Sequence, residues 1–352
     1  MPVISLFCGP GGLDEGFKQA GFTTLLAYDN DRAACETHRH NHPEARAKVR
    51  DLSAITIDDV VKDWNKRSSS PPVGVIGGPP CQSFSVSNVF QKSSDPRNQL
   101  PEHYARILGG LMAKFAIDFF VFENVPGLLS GKHAAKYEKF KRLFQKCGFT
   151  VFEAKLDAQY FGVAQVRERV FIVGLNSTKY KSAFTFPEPV DSVPRTVRDA
   201  IANLPHPTFF DRKLLAEDIP FHPNHWCLVP RSKKFGSLKP GEIKGRSLRV
   251  LLWDKPSYTV AYGHREVHVH PDCLRRLSVF EAMCLQGFPR EYVLKGTLSD
   301  QIRLVSEAVP PPLSAAIAKV LSELMDTSSS PSPVNKKKRV EQSTMNRFFV
   351  KK

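Results

Sequence analysis

The regular alternation of short apolar runs with helix-like segments is the feature that most constrains how this chain folds. Five apolar runs predict buried strands: "VISLF", "TTLLAY", "VGVIGG", "DFFVFENV" and "RVFIVGL". Four segments between them have the apolar spacing of helices: "GLDEGFKQAG", "DRAACETHRHN", "HYARILGGLMAKF" and "HAAKYEKFKRLFQKCG". Continuously apolar strands that alternate with helices are typical of parallel sheets covered on both faces. The pattern predicts an α/β fold, in which ligands bind at the carboxyl ends of the strands.

The composition changes after residue 189 and divides the chain into four parts. Residues 1–189 form the predicted α/β unit. Residues 190–290 carry more proline, glycine and isolated aromatic residues, which predicts a smaller, irregular, strand-rich domain. Residues 291–326 return to the first unit and end in the helical run "PPLSAAIAKVLSELM". Residues 327–352 have the composition of a disordered basic tail.

The charge and the cysteines limit the classes of partner and compartment. The 352 residues carry a formal net charge of +15, of which the tail supplies +6 (seven Lys or Arg and one Glu), so the body is basic as well. A basic excess of this size favours a polyanionic partner such as nucleic acid. The seven cysteines include no C-x-x-C pair, which argues for a reducing compartment and against disulfides or a zinc site. Without a leader pattern or a membrane-length apolar run, we expect a soluble intracellular protein.

The stretch "FCGPGGL", Phe7 to Leu13, follows a predicted strand and opens a helix. Glycines at such a turn let the backbone approach a ligand, although tight-turn packing alone also uses them. Asp29 ends the second strand and Asp51 the following segment; each could accept hydrogen bonds from ribose hydroxyls or simply cap a helix. Together the three features indicate a cofactor that contains a nucleoside. No G-K-[ST] follows the glycines, which argues against a P-loop.

The stretch "GGPPCQSFS" places Cys81 behind two prolines at the end of a buried strand. The prolines fix the backbone, so they favour a reactive cysteine over a small buried hydrophobe. Glu123, in "FENVPG", ends the next strand and is predicted to lie near Cys81 as a proton donor or, alternatively, as a surface acid. Arg167 and Arg169, in "QVRER", share one face of a strand, where they bind an anionic substrate or line a solvated edge.

These blocks, in this order, resemble the DNA cytosine-5 methyltransferase family. The resemblance extends to "DPRNQL", "RRLSVFEAMCLQGFP" and "AVPPPLSAAIAKVL" and covers Pro2 to about Met325. It implies a Rossmann-like S-adenosylmethionine-dependent methyltransferase fold with a mixed, mostly parallel sheet and a smaller, irregular target-recognition domain at residues 190–290. It also implies methylation of cytosine C5 in DNA, with the base flipped out of the duplex.

The resemblance assigns roles to individual residues. Cys81 adds to C6 of cytosine, and Glu123 hydrogen-bonds N3 and the exocyclic amine. Arg167 helps to hold the ring at its carbonyl, and Arg169 supports the site or its glutamate. The positions that match cofactor contacts are Phe7, Gly9, Pro10, Gly11, Gly12, Leu13, Asp29, Asn30, Asp51, Leu52, Pro79, Leu100, Glu307 and Ala308. The positions expected on DNA are Gln82, Ser83, Ser85 and Arg97 near the nucleophile, and Lys233, Lys234 and Arg246 in the recognition region.

One block departs from the family pattern. The last motif usually begins Gly-Asn, whereas here Ser306 and Glu307 stand before "AVP". In the family this segment closes the methionine end of the cofactor pocket. Glu307 therefore either repels the carboxylate of the cofactor or points to water.

The tail carries a further resemblance. "QSTMNRFF" contains Gln342, Met345, Phe348 and Phe349, and its last three apolar positions share one face of a helical turn. This spacing resembles the box that docks on the sliding clamp PCNA. The run "NKKKR" resembles a nuclear-import signal; alternatively, it binds DNA. We expect a nuclear protein if the organism is a eukaryote, and a protein of the cytoplasm or nucleoid otherwise.

Two other functions remain open at this point. One is an RNA-directed enzyme of the same family, acting on transfer RNA. The other is a catalytically weak DNA-binding protein tethered by its tail, which the Ser306-Glu307 departure keeps possible. A nucleotide-binding dehydrogenase does not account for Cys81, Glu123 and the arginine pair together. We further expect a monomer that holds no metal and meets no membrane.

Overall fold

A computed structural model describes residues 1–80, 99–181, 183–190, 193–245, 247–259 and 266–329. The main sheet is built from seven strands: β1 (Pro2–Leu6), β2 (Thr23–Asp29), β3 (Arg46–Val49), β4 (Gly74–Gly77), β5 (Phe119–Asn124), β6 (Phe149–Asp157) and β7 (Glu168–Asn176). Their order across the sheet is β3-β2-β1-β4-β5-β7-β6. The first five pair in parallel, and β7 is antiparallel to both β5 and β6. The predicted Rossmann-like, mostly parallel mixed sheet is confirmed.

The helices cover both faces of this sheet, as continuously apolar strands require. In chain order they are α1 (Gly12–Gln19), α2 (Arg32–Asn41), α3 (Ile57–Asn65), α4 (Leu100–Phe115), α5 (Ala134–Lys146), α6 (Val197–Ile201), α7 (Val279–Leu285), α8 (Leu298–Glu307) and α9 (Pro311–Ser329). Trp64, Tyr104 and Phe144 bring α3, α4 and α5 onto one face. Phe17 of α1 and Ile317 of α9 pack on the other face.

Several elements differ from the sequence expectations. The alternating strand β6 and the helix α3, which begins with a Thr56–Asp59 capping box, had no predicted counterpart. The last helix packs on the sheet as expected but runs on to Ser329, past the predicted boundary at residue 326. No single helix in the described ranges is long and apolar enough to cross a membrane; α8 and α9 satisfy the length and composition test only as a pair bent by 42°.

The region between the main sheet and α8 is irregular, as predicted, but its strands are very short. They are β8 (Thr208–Phe209), β9 (Trp226–Cys227), β10 (Ile243–Lys244), β11 (Leu248–Val250) and β12 (His268–Val269). The region is joined to the α/β unit by an apolar cluster that contains Trp226, Phe280 of α7, Val305 of α8 and Ala34 of α2. Packing of scattered apolar residues, rather than a large sheet, stabilises this part of the chain.

A buried histidine lies at this junction. His222 stacks on Phe280 at 4.0 Å, and its Nδ1 accepts a hydrogen bond from the Asn224 backbone at 3.1 Å. Burial lowers the pKa of His222 to about 4 from its ordinary value of 6.5. The folded protein therefore holds the neutral ring at pH values where the unfolded chain binds a proton.

This pKa shift predicts a loss of stability in mild acid. The contribution of His222 is complete above about pH 6.5 and falls as the pH drops toward 4, by at most about 3 kcal/mol. In urea unfolding at pH 7.5 and pH 5.0, His222→Asn, which keeps an acceptor but cannot titrate, should lose less stability with acid than the unaltered chain, by roughly 2 kcal/mol. The exposed His206→Asn is the matched control. Equal acid sensitivity in the unaltered chain and His222→Asn would contradict the assignment.

Candidate active site and cofactor crevice

Five neighbouring parallel strands end at one edge of the sheet, and this edge carries the candidate site. The segments that follow Leu6, Asp29, Val49, Gly77 and Asn124 meet there. The strand order reverses between β1 and β4, since β2 and β3 lie on one side of β1 while β4 and β5 lie on the other. Open α/β sheets bind ligands in the crevice at such a switch point. The segments after β1 and β4 flank this crevice.

The glycine loop, residues 7–12, connects β1 to α1 through left-handed backbone conformations. The φ angle is 54° at Phe7, 53° at Gly9 and 93° at Gly11, which is the N-cap of α1. Such a φ is uncommon for a phenylalanine and is typical of residues held at ligand sites. Apart from its chain neighbours, no atom of the described residues lies within 4 Å of the place that a Cβ on Gly9 would occupy. The loop therefore offers open backbone to the crevice at Gly9.

Asp29 organises the loop from the end of β2. One carboxylate oxygen accepts from the Gly9 backbone N–H and the other from the Asp31 backbone N–H, each at 2.9 Å. Burial raises the pKa of Asp29, while these two hydrogen bonds and the Arg303 guanidinium lower it. Each oxygen keeps a further lone pair, so the carboxylate can still accept from a ligand hydroxyl.

The other predicted cofactor residues divide into exposed and buried groups. Asn30 is exposed, and Asp51, also exposed, accepts from the Ser53 backbone N–H at 2.9 Å. Hydrogen bonds from the Ser53 side chain and from this backbone N–H lower the pKa of Asp51. The remaining predicted positions are buried or half-buried: Phe7, Gly9, Pro10, Gly11, Gly12, Leu13, Leu52, Pro79, Leu100 and Ala308. The Leu13 and Leu52 side chains pack in the two cores of the main sheet, so only their backbone is available to a ligand.

Glu123 and Arg169 form an ion pair at the carboxyl end of β5. Arg169 Nε lies 3.0 Å from Glu123 Oε1, and each side chain is only 12% exposed. The pair arises because Glu123 lies opposite Phe171 in the antiparallel ladder, and Arg169 follows on the same face of β7. Burial raises the pKa of Glu123, whereas the positive charges of Arg169 and Arg167 lower it. The net direction is upward, because burial outweighs the two positive charges.

The end of β4 lies against this ion pair. A Cβ placed on Gly78 would be 2.7 Å from Glu123 Oε2 and 3.2 Å from the Glu123 carbonyl oxygen, so a larger residue there would displace the carboxyl. The Asn124 side-chain amide donates to the Pro79 carbonyl at 3.3 Å, which ties the two strand ends together. Glu123 is therefore next to the backbone that leads into Cys81. Cys81 itself and the predicted DNA residues Gln82, Ser83, Ser85 and Arg97 lie outside the described residues.

Arg167 binds the end of α8. Its side chain is completely buried, and its guanidinium donates to the backbone carbonyls of Ser306 at 2.6 Å and Ala308 at 2.8 Å. The predicted role of Arg167 at the carbonyl of the substrate ring stays a prediction. The arginine that reaches the predicted catalytic acid is Arg169, whose expected supporting role agrees with the ion pair.

Glu307 lies at the exposed end of α8. Its side chain is 57% exposed and forms an ion pair with Arg303 at 3.2 Å. Arg303 also forms an ion pair at 2.7 Å with Asp31, which lies two residues after Asp29. The arginine thus offsets part of the negative charge that Glu307 brings to this side of the crevice. The sequence left two alternatives for Glu307: it repels the carboxylate of the cofactor, or it points to water. Its exposed position agrees better with the second.

Two of the predicted recognition residues lie on an exposed surface. Lys233 and Lys234 are both exposed in a short 3-10 helix, Lys233–Ser237, of the irregular region. Arg246 and the tail residues Gln342, Met345, Phe348 and Phe349 lie outside the described residues.

A buried support that no motif indicates lies beneath the glycine loop. The Tyr292 hydroxyl donates to the Pro10 carbonyl, and His42 Nε2 lies 3.3 Å from the same hydroxyl. A Cβ on Gly11 would be 2.6 Å from Tyr292 Oη, so the close approach also needs glycine there. Burial lowers the pKa of His42 to about 4, which keeps its ring neutral. Pro10 and Tyr292 are 282 residues apart, so no local signal indicates the contact.

The fold and the strand-end residues define a Rossmann-like protein with a crevice at the switch point of its sheet and a buried carboxyl beside it. Comparison with known proteins names the family. The family of C-5 cytosine-specific DNA methylases matches residues 1–323, and the chain belongs to this family.

Relatives in this family cover nearly the whole chain. The Type II methyltransferase M.FnuDI of Fusobacterium nucleatum is 33% identical over 350 residues, covering 92% of this chain and 95% of that protein. M.MthTI of Methanothermobacter thermautotrophicus is 32% identical, covering 92% and 97%. A putative DNA modification methyltransferase encoded within an E. coli prophage matches in structure with a TM-score of 0.76 and 27% identity, covering 93% of this chain and 99% of that chain. Dnmt2 of S. pombe shares the fold alone, with a TM-score of 0.63 at 16% identity, covering 94% and 99%.

Proposed function

We propose that this chain transfers a methyl group from S-adenosylmethionine to C5 of cytosine in DNA. The observation that carries the proposal is the Glu123–Arg169 pair packed against Gly78, three residues before Cys81 and beside the glycine-loop crevice. Membership of the DNA cytosine-5 family supports the reaction class. The named Type II methyltransferases at 32–33% identity support DNA as the substrate.

The residues at the crevice fit S-adenosylmethionine, the methyl donor that this family and fold use. Open backbone at Gly9 and the spare lone pairs of Asp29 suit a nucleoside with ribose hydroxyls. The exposed Asn30 and Asp51 stand at the ends of the next two strands. When bound, the donor supplies an electrophilic methyl group on a sulfonium. The chain's own task is to make C5 of cytosine nucleophilic beside it.

Cys81 and Glu123 perform that activation in the proposed mechanism. The Cys81 thiolate forms a bond to C6, and the electron pair of the C5–C6 bond becomes available at C5. Glu123 donates a hydrogen bond or proton at N3 and accepts from the exocyclic amine, which offsets the charge on the ring. After C5 has gained the methyl group, loss of the C5 proton expels the thiolate and restores the ring. Arg169 holds Glu123 in place throughout.

The geometry of a duplex requires the target base to leave the stack before this chemistry. The basic body of the protein supplies the charge to hold the phosphates while the base is extruded. Lys233 and Lys234, exposed in the recognition region, are our proposed phosphate or guanine contacts.

The experiment that tests this function is bisulfite sequencing of plasmid DNA from cells that express the chain, beside a Cys81→Ala control. Methylcytosine in one sequence context, absent from the control, is the expected result. A purified comparison of duplex DNA with transfer RNA as methyl acceptors then separates the two substrates. Methylation of the RNA alone would overturn the DNA assignment, and methylation of neither would favour the weak, tethered DNA-binding protein.

We propose that residues 342–349 dock on the sliding clamp PCNA. The support is the spacing of Gln342, Met345, Phe348 and Phe349, because apolar side chains in a polar tail fit an apolar groove when the segment folds into a helical turn. Such a contact would place the enzyme at replicating DNA, in the nucleus where the cell has one.

Replacing both Phe348 and Phe349 with alanine should abolish clamp binding, with at least a tenfold increase in the dissociation constant, which corresponds to about 1.4 kcal/mol. Methylation of short duplexes should not change, because the tail is far in sequence from the proposed catalytic residues. Binding of the full chain to purified PCNA by calorimetry is the measurement. A double mutant that still binds the clamp as tightly as the unaltered chain would refute the tail assignment.

A further inference from the structure

The last turn of α8 is held by two buried side chains from elsewhere in the chain. A helix leaves its last four carbonyls without partners inside the helix. Here the Val305 carbonyl accepts from Gln286 Nε2 at 2.7 Å, and the Ser306 carbonyl accepts from Arg167 at 2.6 Å. Arg167 also binds the Ala308 carbonyl, just past the helix end, at 2.8 Å. We call residues 305–308 the clamped turn.

The two donors are well suited to fix this turn. Arg167 and Gln286 are both completely buried, so water does not compete for their hydrogen bonds. The guanidinium of Arg167 also places a positive charge at the negative end of the α8 dipole. Arg167 precedes β7 and Gln286 is the C-cap of α7, so the turn is tied to two separate elements.

The clamped turn forms a wall of the glycine-loop crevice. A Cβ on Gly12 would lie 2.3 Å from the carbonyl oxygen of Val309, the next residue after the turn. On the same side, Arg303 of α8 bridges Asp31 and Glu307 at 2.7 Å and 3.2 Å. A displacement of the turn would therefore change the space beside both the glycine loop and the Asp29–Asp31 segment.

We propose that Arg167 and Gln286 are positioning residues that set cofactor affinity by holding the clamped turn against the glycine loop. Arg167 stands two residues before Arg169, the partner of Glu123. The "QVRER" segment thus contributes to both parts of the site: Arg169 positions Glu123, and Arg167 positions the clamped turn beside the glycine loop. The proposal rests on the proposed function, since it assumes that the crevice holds S-adenosylmethionine.

The test compares Arg167→Lys and Gln286→Met with the unaltered full-length chain. Lysine keeps the charge but cannot reach two carbonyls in the manner of a guanidinium, and methionine keeps the volume of glutamine without its donor. Calorimetry with S-adenosylhomocysteine should show a dissociation constant raised about tenfold by Arg167→Lys and about threefold by Gln286→Met. In turnover, the KM for S-adenosylmethionine should rise more than kcat falls. Arg169→Lys should show the opposite pattern, with its main effect on kcat.

Hydrogen exchange provides a readout that needs no ligand. Amides of residues 303–309 should exchange faster in both variants, while amides of β5 keep their protection. Thermal melting checks that each variant folds. If Arg167→Lys does not fold, the result for Gln286→Met alone tests the positioning role. Unchanged cofactor affinity and unchanged exchange in the folded variants would overturn the positioning role. Failure of the unaltered chain to bind S-adenosylhomocysteine would instead contradict the proposed function. The exchange result would still show whether Arg167 and Gln286 hold the clamped turn.

Discussion

Replacing Glu123 with glutamine is expected to slow methyl transfer by 10²- to 10⁴-fold, the range that general acid catalysis typically contributes. Glutamine keeps the shape of the side chain and an oxygen for Arg169, but it cannot supply a proton to N3 of the ring. The effect should therefore fall on the chemical step. Single-turnover transfer of a labelled methyl group to duplex DNA, at saturating cofactor, measures that step directly.

Glu168→Gln is the matched control for this experiment. Glu168 neighbours Arg169 on β7 but pairs with Lys155 at 2.7 Å on an exposed surface. The same chemical change there should leave the rate within about twofold, as surface ion pairs contribute little. If Glu123→Gln also stays within twofold of the unaltered chain, Glu123 is not the acid and the proposed mechanism is wrong.

Replacing Cys81 with alanine is expected to remove methyl transfer, by roughly 10⁴-fold or more, because no other group can form the bond to C6. Binding to a labelled duplex should remain, since the basic surface and the recognition region are untouched. A duplex that carries 5-fluorocytosine at the methylated position distinguishes the steps. Its fluorine cannot leave C5 as a proton would, so the unaltered chain should be trapped on the DNA and the variant should not.

Cys147→Ala provides the corresponding control. The Cys147 thiol lies after α5, where it donates to the Ala105 carbonyl at 3.5 Å, and burial raises its pKa. An unreactive thiol of this kind should be replaceable without loss of turnover or trapping. Retained turnover in Cys81→Ala would refute the assigned nucleophile.

Much of the fold was predictable because it depends on local patterns. The strands β1, β2, β4, β5 and β7 are continuously apolar, and the helices between them have apolar residues at helical spacing. The alternating strand β6 and the short strands of the recognition region carry weaker signals. The antiparallel placement of β7 between β5 and β6 depends on which edge of the sheet is free after the parallel strands have paired. The apolar periodicity of a strand does not indicate which edge it joins.

The two arginines of "QVRER" show the corresponding limit at the site. Their spacing predicted a shared face of one strand, yet one binds Glu123 and the other, which precedes β7, binds the clamped turn. The turn lies 139 and 141 residues away from Arg167 in the chain. Sequence spacing describes neighbours along one strand, whereas the partner of a buried guanidinium is determined by whichever carbonyls the folded chain brings to it.

The sequence alone determined the α/β class, the family, and the chemistry gathered at the strand ends, because apolar periodicity and short motifs are local properties. Only the tertiary structure decided that Arg169 forms an ion pair with Glu123, that Tyr292 supports the glycine loop, and that Arg303 reaches Asp31. The physical reason is the same in each case. These contacts join residues far apart in the chain, and a buried polar group must find its partner wherever packing places one.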